Sequence, residues 1–215
     1  MLVANKNTIS RLSRYRNALT RFKLLGFQKI FSEYLADAVE GTSAQVRKDF
    51  SLFGITGNKR GGYVIDVLIE KLSLILGKNE IHKVILVGAG NLGSALMKYG
   101  NFEKEGIKIV AAFDIDPSKH GGKLPAPVLP LEKLSVFVSE NNIKTAILCV
   151  PDIAAQQTFD LLVKAGIKGV LNFAPITLKG ADVCIVSNVN LAVELENLLY
   201  FSHAMEKTLQ NSPLL

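Results

Sequence analysis

The 215-residue sequence is poor in the residues that build metal centres, with two cysteines and three histidines in the whole chain. Cys149 and Cys184 each lie in an apolar, strand-like run, with no histidine or second cysteine at ligand spacing. This gives metal binding little support. We expect both to be buried structural thiols. The alternative is a redox-sensing thiol, although neither is flanked by the cations that lower a thiol pKa.

Long apolar runs are also absent, although 48% of the residues are hydrophobic. The longest uncharged apolar stretches have the length of a strand, far short of the roughly 18 residues of a membrane helix. The N-terminus lacks the apolar core of a signal peptide. We therefore expect a cytoplasmic protein without a membrane partner, long enough for one large or two modest domains.

The excess positive charge is confined to the first part of the chain. Residues 1–80 contain 13 lysines and arginines against 7 acidic residues, whereas residues 81–215 contain 12 of each. A small basic domain beside a neutral one suggests a polyanion as partner of the first and a small effector for the second.

A glycine-rich turn follows a β-branched run in the segment VILVGAGNLGSAL, residues 84–96. A parallel strand that leads through such a turn into a helix presents free backbone N–H groups to a pyrophosphate. The predicted binding residues of the turn are Gly88, Ala89, Gly90, Asn91, Leu92 and Gly93. The alternative is a glycine turn without a ligand.

A second apolar run, residues 107–113, ends at Asp114. This is the distance downstream at which a carboxylate accepts the ribose hydroxyls of the adenosine half. No arginine follows directly to take a 2′-phosphate, which favours NAD(H) over NADP(H). Ligands of open α/β sheets lie at the carboxyl ends of strands, so we expect the nicotinamide among Val150, Pro151, Phe173, Ala174 and Pro175. Such an apolar pocket favours NADH over NAD⁺, because burying a pyridinium cation costs desolvation.

The basic N-terminal part predicts three helices before a turn-rich segment. The first spans about residues 8–25, and the second runs from Ser32, as its N-cap, to about residue 39. The third runs to residue 53 from a capping box of Thr42 and Gln45. Its outward side chains, an amide and cations among them, suit a recognition helix in a major groove. These side chains are Gln45, Arg47, Lys48 and Ser51.

Residues 54–65, GITGNKRGGYVI, combine turn residues with a basic tip, which after a helix-turn-helix predicts a wing. Lys59 and Arg60 at this tip, with Arg11 and Arg14 of the first helix, complete the predicted DNA-binding set. The alternative is a small packing domain with a basic exterior.

The remaining elements complete a two-part architecture. A helix over 67–76, with Asp66 as its cap, joins the two halves. In the second half we predict helices over about 133–140 and 152–165, the latter capped by Asp152. We also predict strands over 145–150 and 181–186. A long apolar helix follows Asn190, and it packs on its own domain or is exchanged with a second subunit. We predict a winged helix-turn-helix domain over 1–80, a Rossmann-like parallel sheet over 81–188 and a dimerisation helix over 189–215.

Several separated segments together resemble the family of the redox-sensing transcriptional repressor Rex. The segments are ISRL (9–12), VRKDFSLFG (46–54), KRGGY (59–63), VGAGNLG (87–93), FDIDP (113–117), VPDIAAQ (150–156), AGIKGVLNFAP (165–175) and NVNLAVELE (188–196). The resemblance implies a homodimer that binds an inverted-repeat operator through two winged helices and releases it when NADH binds. It also implies that the C-terminal helices are exchanged between the subunits.

The chain departs from the family at two positions. The family usually has Asp at Asn190, and often Arg on the first helix near Asn17. If that acid forms an ion pair with cations of the DNA-binding domain in one state of the repressor, this chain lacks that ion pair. The basic neighbours Arg14 and Arg16 could then supply a substitute contact.

Two other functions stay open. A small NAD-dependent dehydrogenase needs a proton donor beside the nicotinamide, and none of the histidines follows a strand there. His82, His120 and His203 are expected at the surface, and we do not expect an enzyme. A regulator of the same architecture with CoA or another nucleotide as effector is the second alternative.

Overall fold

A computed structural model describes residues 5–58, 61–121, 123–179 and 182–211, the last four of these as backbone only. The chain divides between Ile81 and His82 into two compact units. Each unit has a separate hydrophobic core, and each is described by itself.

The first unit is built from helices around a small antiparallel strand pair. The helices are α1 (Lys6–Leu24), α2 (Ser32–Asp37), α3 (Ser43–Leu52) and α4 (Ile65–Ile75), and the strands are β1 (Lys29–Ile30) and β2 (Tyr63–Val64). Leu12 and Leu19 of α1, Phe50 of α3 and Leu72 of α4 are fully buried together. The apolar stripe of each helix therefore meets the others in one core.

Helices α2 and α3 with the loop between them form the helix-turn-helix, and β1 and β2 form the base of the wing. β2 pairs with Lys29–Ile30, a partner that the sequence did not predict, and the bridge between Asn58 and Gly62 closes the wing tip. Ile65, the last residue of the predicted wing segment, is the first residue of α4. Lys59 and Arg60 lie outside the described residues.

Three of the predicted N-caps are wrong by one or two positions. Ser32 and Asp152 are each the first residue of their helix and Asp66 the second, and the preceding caps have no side-chain hydrogen bond. The Ser32 hydroxyl instead accepts a hydrogen bond from Arg47, and Asp66 pairs with Lys23 at 2.8 Å. Acidic residues inside the first turn still favour the positive end of the helix dipole.

In the second unit, six described strands form a parallel sheet in the order β5-β4-β3-β6-β7-β8. The strands are β3 (His82–Val87), β4 (Ile107–Asp114), β5 (Val128–Pro130), β6 (Thr145–Leu148), β7 (Gly169–Asn172) and β8 (Ile185–Asn188). The sequence missed β5 and placed the last strand at 181–186. The strand order reverses between β3 and β6, the position at which open α/β sheets bind ligands.

Helices cover both faces of the sheet. The helices are α5 (Asn91–Met97), α6 (Asn101–Lys104), α7 (Leu134–Glu140) and α8 (Asp152–Lys164). Ile85 and Val87 of β3 pack with α7 and α8, whereas Val84 and Leu86 pack towards α5. This alternation follows from the two-residue repeat of a strand, and a winged helix-turn-helix followed by a Rossmann-like sheet confirms the predicted fold class.

The C-terminal helix α9 (Leu191–Asn211) differs from the other helices in exposure. Each of its side chains from 191 to 207 is exposed, the large apolar residues among them. At its start, Asn190 Oδ1 accepts hydrogen bonds from the amides of Ala192 and Val193. Asn190 therefore caps α9. No helix in the described part of the chain is long and apolar enough to cross a membrane.

Candidate nucleotide-binding site and DNA-binding surface

A cavity of about 500 Å³ lies at the carboxyl ends of β3, β4 and β6. Its walls come from the glycine turn, from the segment after β4 and from the start of α8. The lining residues are Val87, Gly88, Gly90, Leu92, Phe113, Asp114, Ile115, Asp116, Lys119, Leu131, Cys149, Val150, Pro151, Ala154, Thr158 and Phe173. The cavity thus lies at the switch point of the sheet, where a dinucleotide is held in this fold.

The three glycines of the turn meet different surroundings. Gly88 has a φ of +97° and packs against Cys149, so that a Cβ there would overlap the Cys149 carbonyl group. A Cβ on Gly93 would overlap the Gly88 carbonyl oxygen. A Cβ on Gly90 would meet no atom within 4 Å. Gly88 and Gly93 are required by the fold itself, and Gly90 leaves open space on the cavity side.

Asp114 is buried at the end of β4 and points its carboxylate at the glycine turn. Its Oδ2 accepts from the Ala89 amide at 2.7 Å and from Lys119 Nζ at 3.0 Å, and its Oδ1 accepts from the Asp116 amide at 2.9 Å. Burial by itself would raise the Asp114 pKa, but the hydrogen bonds from Asp116, Lys119 and Ala89 outweigh it and lower the pKa. The carboxylate is therefore ionised and held rigidly.

Lys119 is the side chain beside Asp114 that the sequence did not single out. Its ammonium group occupies an acceptor position of Asp114 Oδ2, one of the positions that ribose hydroxyls would use. His120 also lies closer to this site than predicted, because its Nε2 is 2.9 Å from the Asp114 carbonyl oxygen. It is half-buried after the end of β4 and is not among the residues that line the cavity.

The apolar end of the cavity contains part of the predicted nicotinamide set. Val150, Pro151 and Phe173 line the cavity, whereas Ala174 is buried and Pro175 is exposed outside the lining. The loop is fixed by Asn172, the first residue of the NFAP segment. Its side chain accepts from the Ala174 amide and donates to the carbonyl groups of Ala174 and Ile176 and to Asn188.

Both cysteines are free thiols. Cys184 is buried, as expected, whereas Cys149 is half-buried in the cavity wall. Burial raises the pKa of Cys149 to about 12, so the thiol is protonated at neutral pH. Within the described residues, no group of three histidine, cysteine or acidic side chains is arranged to hold a metal ion.

The α3 helix carries four of the eight predicted DNA contacts. Lys48 and Ser51 are exposed on it, and Arg14 is exposed on α1. Arg47 is exposed and also contacts α2, through the Ser32 hydroxyl at 3.0 Å and Glu33 at 3.6 Å. Gln45 is half-buried. The predicted capping box is only half present, because Thr42 accepts from the Gln45 amide while the Gln45 side chain bonds to Asp49 instead.

Arg11 contacts a partner that the sequence did not predict. Its guanidinium group forms a two-pronged ion pair with the buried Asp49, with Nε at 2.6 Å and Nη2 at 2.7 Å. The Tyr15 hydroxyl donates to the same carboxylate. The ion pair joins α1 to α3, and contact of Arg11 with DNA remains a prediction.

In comparisons with known proteins, each unit matches a different family model, and proteins of one family match nearly the whole chain. Residues 5–51 match the family model described as DNA-binding protein N-terminus, and residues 79–176 match the CoA binding domain. The redox-sensing transcriptional repressor Rex of Carboxydothermus hydrogenoformans is 45% identical over 194 residues, 90% of this chain and 93% of its own. The chain belongs to the Rex family. A solved structure of RSP with β-NAD⁺ and operator DNA is 35% identical, covers both chains fully and has a TM-score of 0.89. The structure of RSP with β-NADH covers 99% of this chain and all of its own, at 35% identity and a TM-score of 0.86.

The asparagine at 190 is a helix cap without a charge. Asn190 caps α9 through its side-chain oxygen, as an aspartate also would. It has no charge with which to attract a cation. The exposed Asn17 is likewise uncharged.

Proposed function

We propose that this chain is a transcriptional repressor that binds an inverted-repeat operator as a homodimer and releases it when NADH binds. The observation that carries the proposal is the fixed, ionised Asp114 carboxylate facing a glycine turn with open space at Gly90. This is the arrangement that a dinucleotide requires at a switch point. The RSP structures with NAD⁺, NADH and operator DNA support the same function.

The residues around the cavity fit NAD(H). The turn from Gly88 to Gly93 would receive the pyrophosphate, and Asp114 would accept the ribose hydroxyls in place of the Lys119 ammonium group. The buried negative charge of Asp114 would repel a 2′-phosphate, which disfavours NADP(H). When bound, the reduced nicotinamide supplies no chemistry here and acts as a signal.

Preference for the reduced cofactor follows from the apolar end of the cavity. Val150, Pro151 and Phe173 would surround the nicotinamide ring, with Ala174 and Pro175 in the loop behind it. Removing a pyridinium cation from water without a counter-charge costs free energy that neutral dihydronicotinamide does not. NADH would therefore bind more tightly than NAD⁺.

The DNA-binding surface consists of the α3 face and the wing. Gln45, Arg47, Lys48 and Ser51 would enter the major groove, and Arg14 of α1 would reach a phosphate. The predicted wing cations Lys59 and Arg60 remain part of this proposal. Residues 1–80 would bind DNA and residues 81–188 the nucleotide, in the cytoplasm, where operators are found.

The homodimer would form through residues 189–215. The exposed apolar side chains of α9, such as Leu195, Leu198 and Phe201, need a surface to bury against, and a symmetric partner provides one. Two recognition helices then fit half-sites at only one spacing. A rotation of the subunits on NADH binding would change that spacing and release the operator, and the uncharged Asn190 would alter the set point of this switch.

CoA is the second candidate effector, because residues 79–176 match the CoA binding domain. NADH is favoured by Asp114, which suits an unphosphorylated adenosine ribose better than one carrying a phosphate. The Rex relatives are regulators, and we propose no catalytic role for this chain. The half-buried His120 contacts the Asp114 carbonyl oxygen and is not among the residues that line the cavity.

Titration calorimetry tests the proposal. NADH, NAD⁺ and CoA are each titrated into the full chain, alone and with saturating operator duplex. We expect NADH to bind most tightly, and more weakly in the presence of DNA, because coupling between two sites is reciprocal. Equal NADH affinity with and without operator, or tighter binding of CoA, would contradict the proposal.

A further inference from the structure

A saturated carboxylate lies under the outward face of α3. The Asp49 side chain is 1% exposed. Its Oδ1 accepts from Arg11 Nη2 at 2.7 Å and Gln45 Nε2 at 2.8 Å, and its Oδ2 accepts from Arg11 Nε at 2.6 Å and the Tyr15 hydroxyl at 3.0 Å. A carboxylate has about four acceptor positions, so each of them is in use. The Asp49 side chain is therefore held in one position within the first unit.

Gln45 lies one helical turn before Asp49, and this bond sets the orientation of its amide. Only the nitrogen end of a carboxamide can donate to a carboxylate. Turning the amide by half a rotation would place Gln45 Oε1 against Asp49 Oδ1, where two acceptors repel each other. The bond therefore leaves Oε1, an acceptor, as the end of the amide that points away from Asp49.

An amide held in one orientation can read the direction of a base pair. In the major groove each base pair presents an amino donor on one base and a keto acceptor on the other, with a further acceptor, N7, on the purine. The amino group belongs to the first-named base in A·T and C·G and to the second in T·A and G·C. A freely turning amide adapts to either order, because it can present oxygen or nitrogen. An anchored amide keeps Oε1 and the second N–H of Nε2 in one fixed order.

We propose that Asp49 holds the Gln45 amide in one orientation with Oε1 as the contacting acceptor, so that α3 distinguishes the two orientations of one base pair in each half-site. Gln45 is then a specificity-determining residue, and Asp49 a positioning residue that acts through it. The inference rests on the proposed function, since it requires that α3 enters a major groove.

The test compares two duplexes that differ by one reversed base pair. Duplexes are first selected from a randomised inverted-repeat library with the full chain in the absence of nucleotide. The base pair that depends on residue 45 is identified by repeating the selection with Gln45→Met, which has a similar length and no hydrogen-bonding group. We expect the wild type to prefer the selected orientation by roughly tenfold, within the range for a base contact, and Gln45→Met to bind both orientations within about twofold.

The Gln45→Glu variant tests whether residue 45 contacts the base as a hydrogen-bond acceptor, because a glutamate carboxylate can only accept. Repulsion by Asp49 turns its carboxylate outward, so that overall affinity for DNA falls while the orientation preference is kept. Lys48→Met is the matched control on the same face. It should weaken binding to both duplexes equally and reduce the salt dependence by about one charge.

The outcomes separate the inference from the proposed function. If selection with Gln45→Met changes the orientation preference at no base pair, or if Gln45→Glu reverses the preference, the inference is overturned while operator binding stands. Failure of the wild type to select any duplex overturns the proposed function and this inference with it. Asp49→Asn should reduce the orientation preference in folded protein; if it does not fold, the two Gln45 variants decide.

Discussion

The Gly90→Ala variant tests whether the glycine at this position is needed for ligand binding or for folding. A methyl group at this position meets no atom within 4 Å, and the backbone there has a negative φ of −69°. Gly90 is the N-cap of α5, and replacing a glycine cap by alanine costs up to about 1 kcal/mol. The unliganded protein should therefore lose little stability.

The same methyl group would occupy the open space at the turn, where we place the pyrophosphate. We expect NADH affinity to fall at least tenfold, equivalent to about 1.4 kcal/mol, and NAD⁺ affinity to fall by a similar factor. The assay is titration calorimetry together with thermal unfolding with and without NADH. Gly100→Ala is the matched control, because a methyl there also meets nothing within 4 Å and Gly100 does not line the cavity. Unchanged NADH affinity in Gly90→Ala, with normal unfolding, would refute the placement of the pyrophosphate.

Four further predictions concern the glycine turn, Asp114 and the buried Asp49. Gly93→Ala should lower stability by about 1–3 kcal/mol, the usual cost of overpacking, measured by urea unfolding; a wild-type midpoint would contradict the close approach of α5 to the turn. Asp114→Ala should weaken NADH and NAD⁺ by similar factors, measured by calorimetry, whereas selective loss of one would show that Asp114 contacts more than the shared ribose. Asp49→Ala should cost about 3 kcal/mol because it leaves Arg11 and Tyr15 without their acceptor, against less than about 1 kcal/mol for Asp66→Ala in its exposed pair. Burial by itself would raise the Asp49 pKa, but hydrogen bonds from Arg11, Gln45 and Tyr15 lower it. The stabilisation should therefore be complete above the ordinary carboxyl pKa and be lost as pH falls below about 4 through the native pKa; equal acid sensitivity of wild type and Asp49→Ala would contradict this.

The sequence alone was sufficient to predict the elements that depend on short-range patterns. The order of strand, glycine turn and helix around Gly88 and Gly93, and the carboxylate of Asp114 at the next strand end, each depend on short-range chemistry. Thr42 was also correctly identified as a cap. Of the five residues predicted around the nicotinamide, Ala174 and Pro175 are not among those that line the cavity.

The features that could not be predicted depend on distant partners. β5 has three residues, one of them Pro130, and becomes a strand only because β4 lies beside it. Arg11 is one of several cations on α1, and its buried partner Asp49 is 38 residues away. Local propensity carries no information about such pairs. Polar residues such as Ser32 and Asp66 also fit the first turn of a helix as well as its cap, which explains the misplaced starts.

The most direct test of the central claim is the fluorescence anisotropy of labelled operator duplex saturated with the full chain, titrated with NADH and separately with NAD⁺. We predict that NADH returns the anisotropy to that of free DNA and that NAD⁺ at the same concentration leaves most of the complex intact. Operator bound equally tightly with saturating NADH and with none would contradict the account.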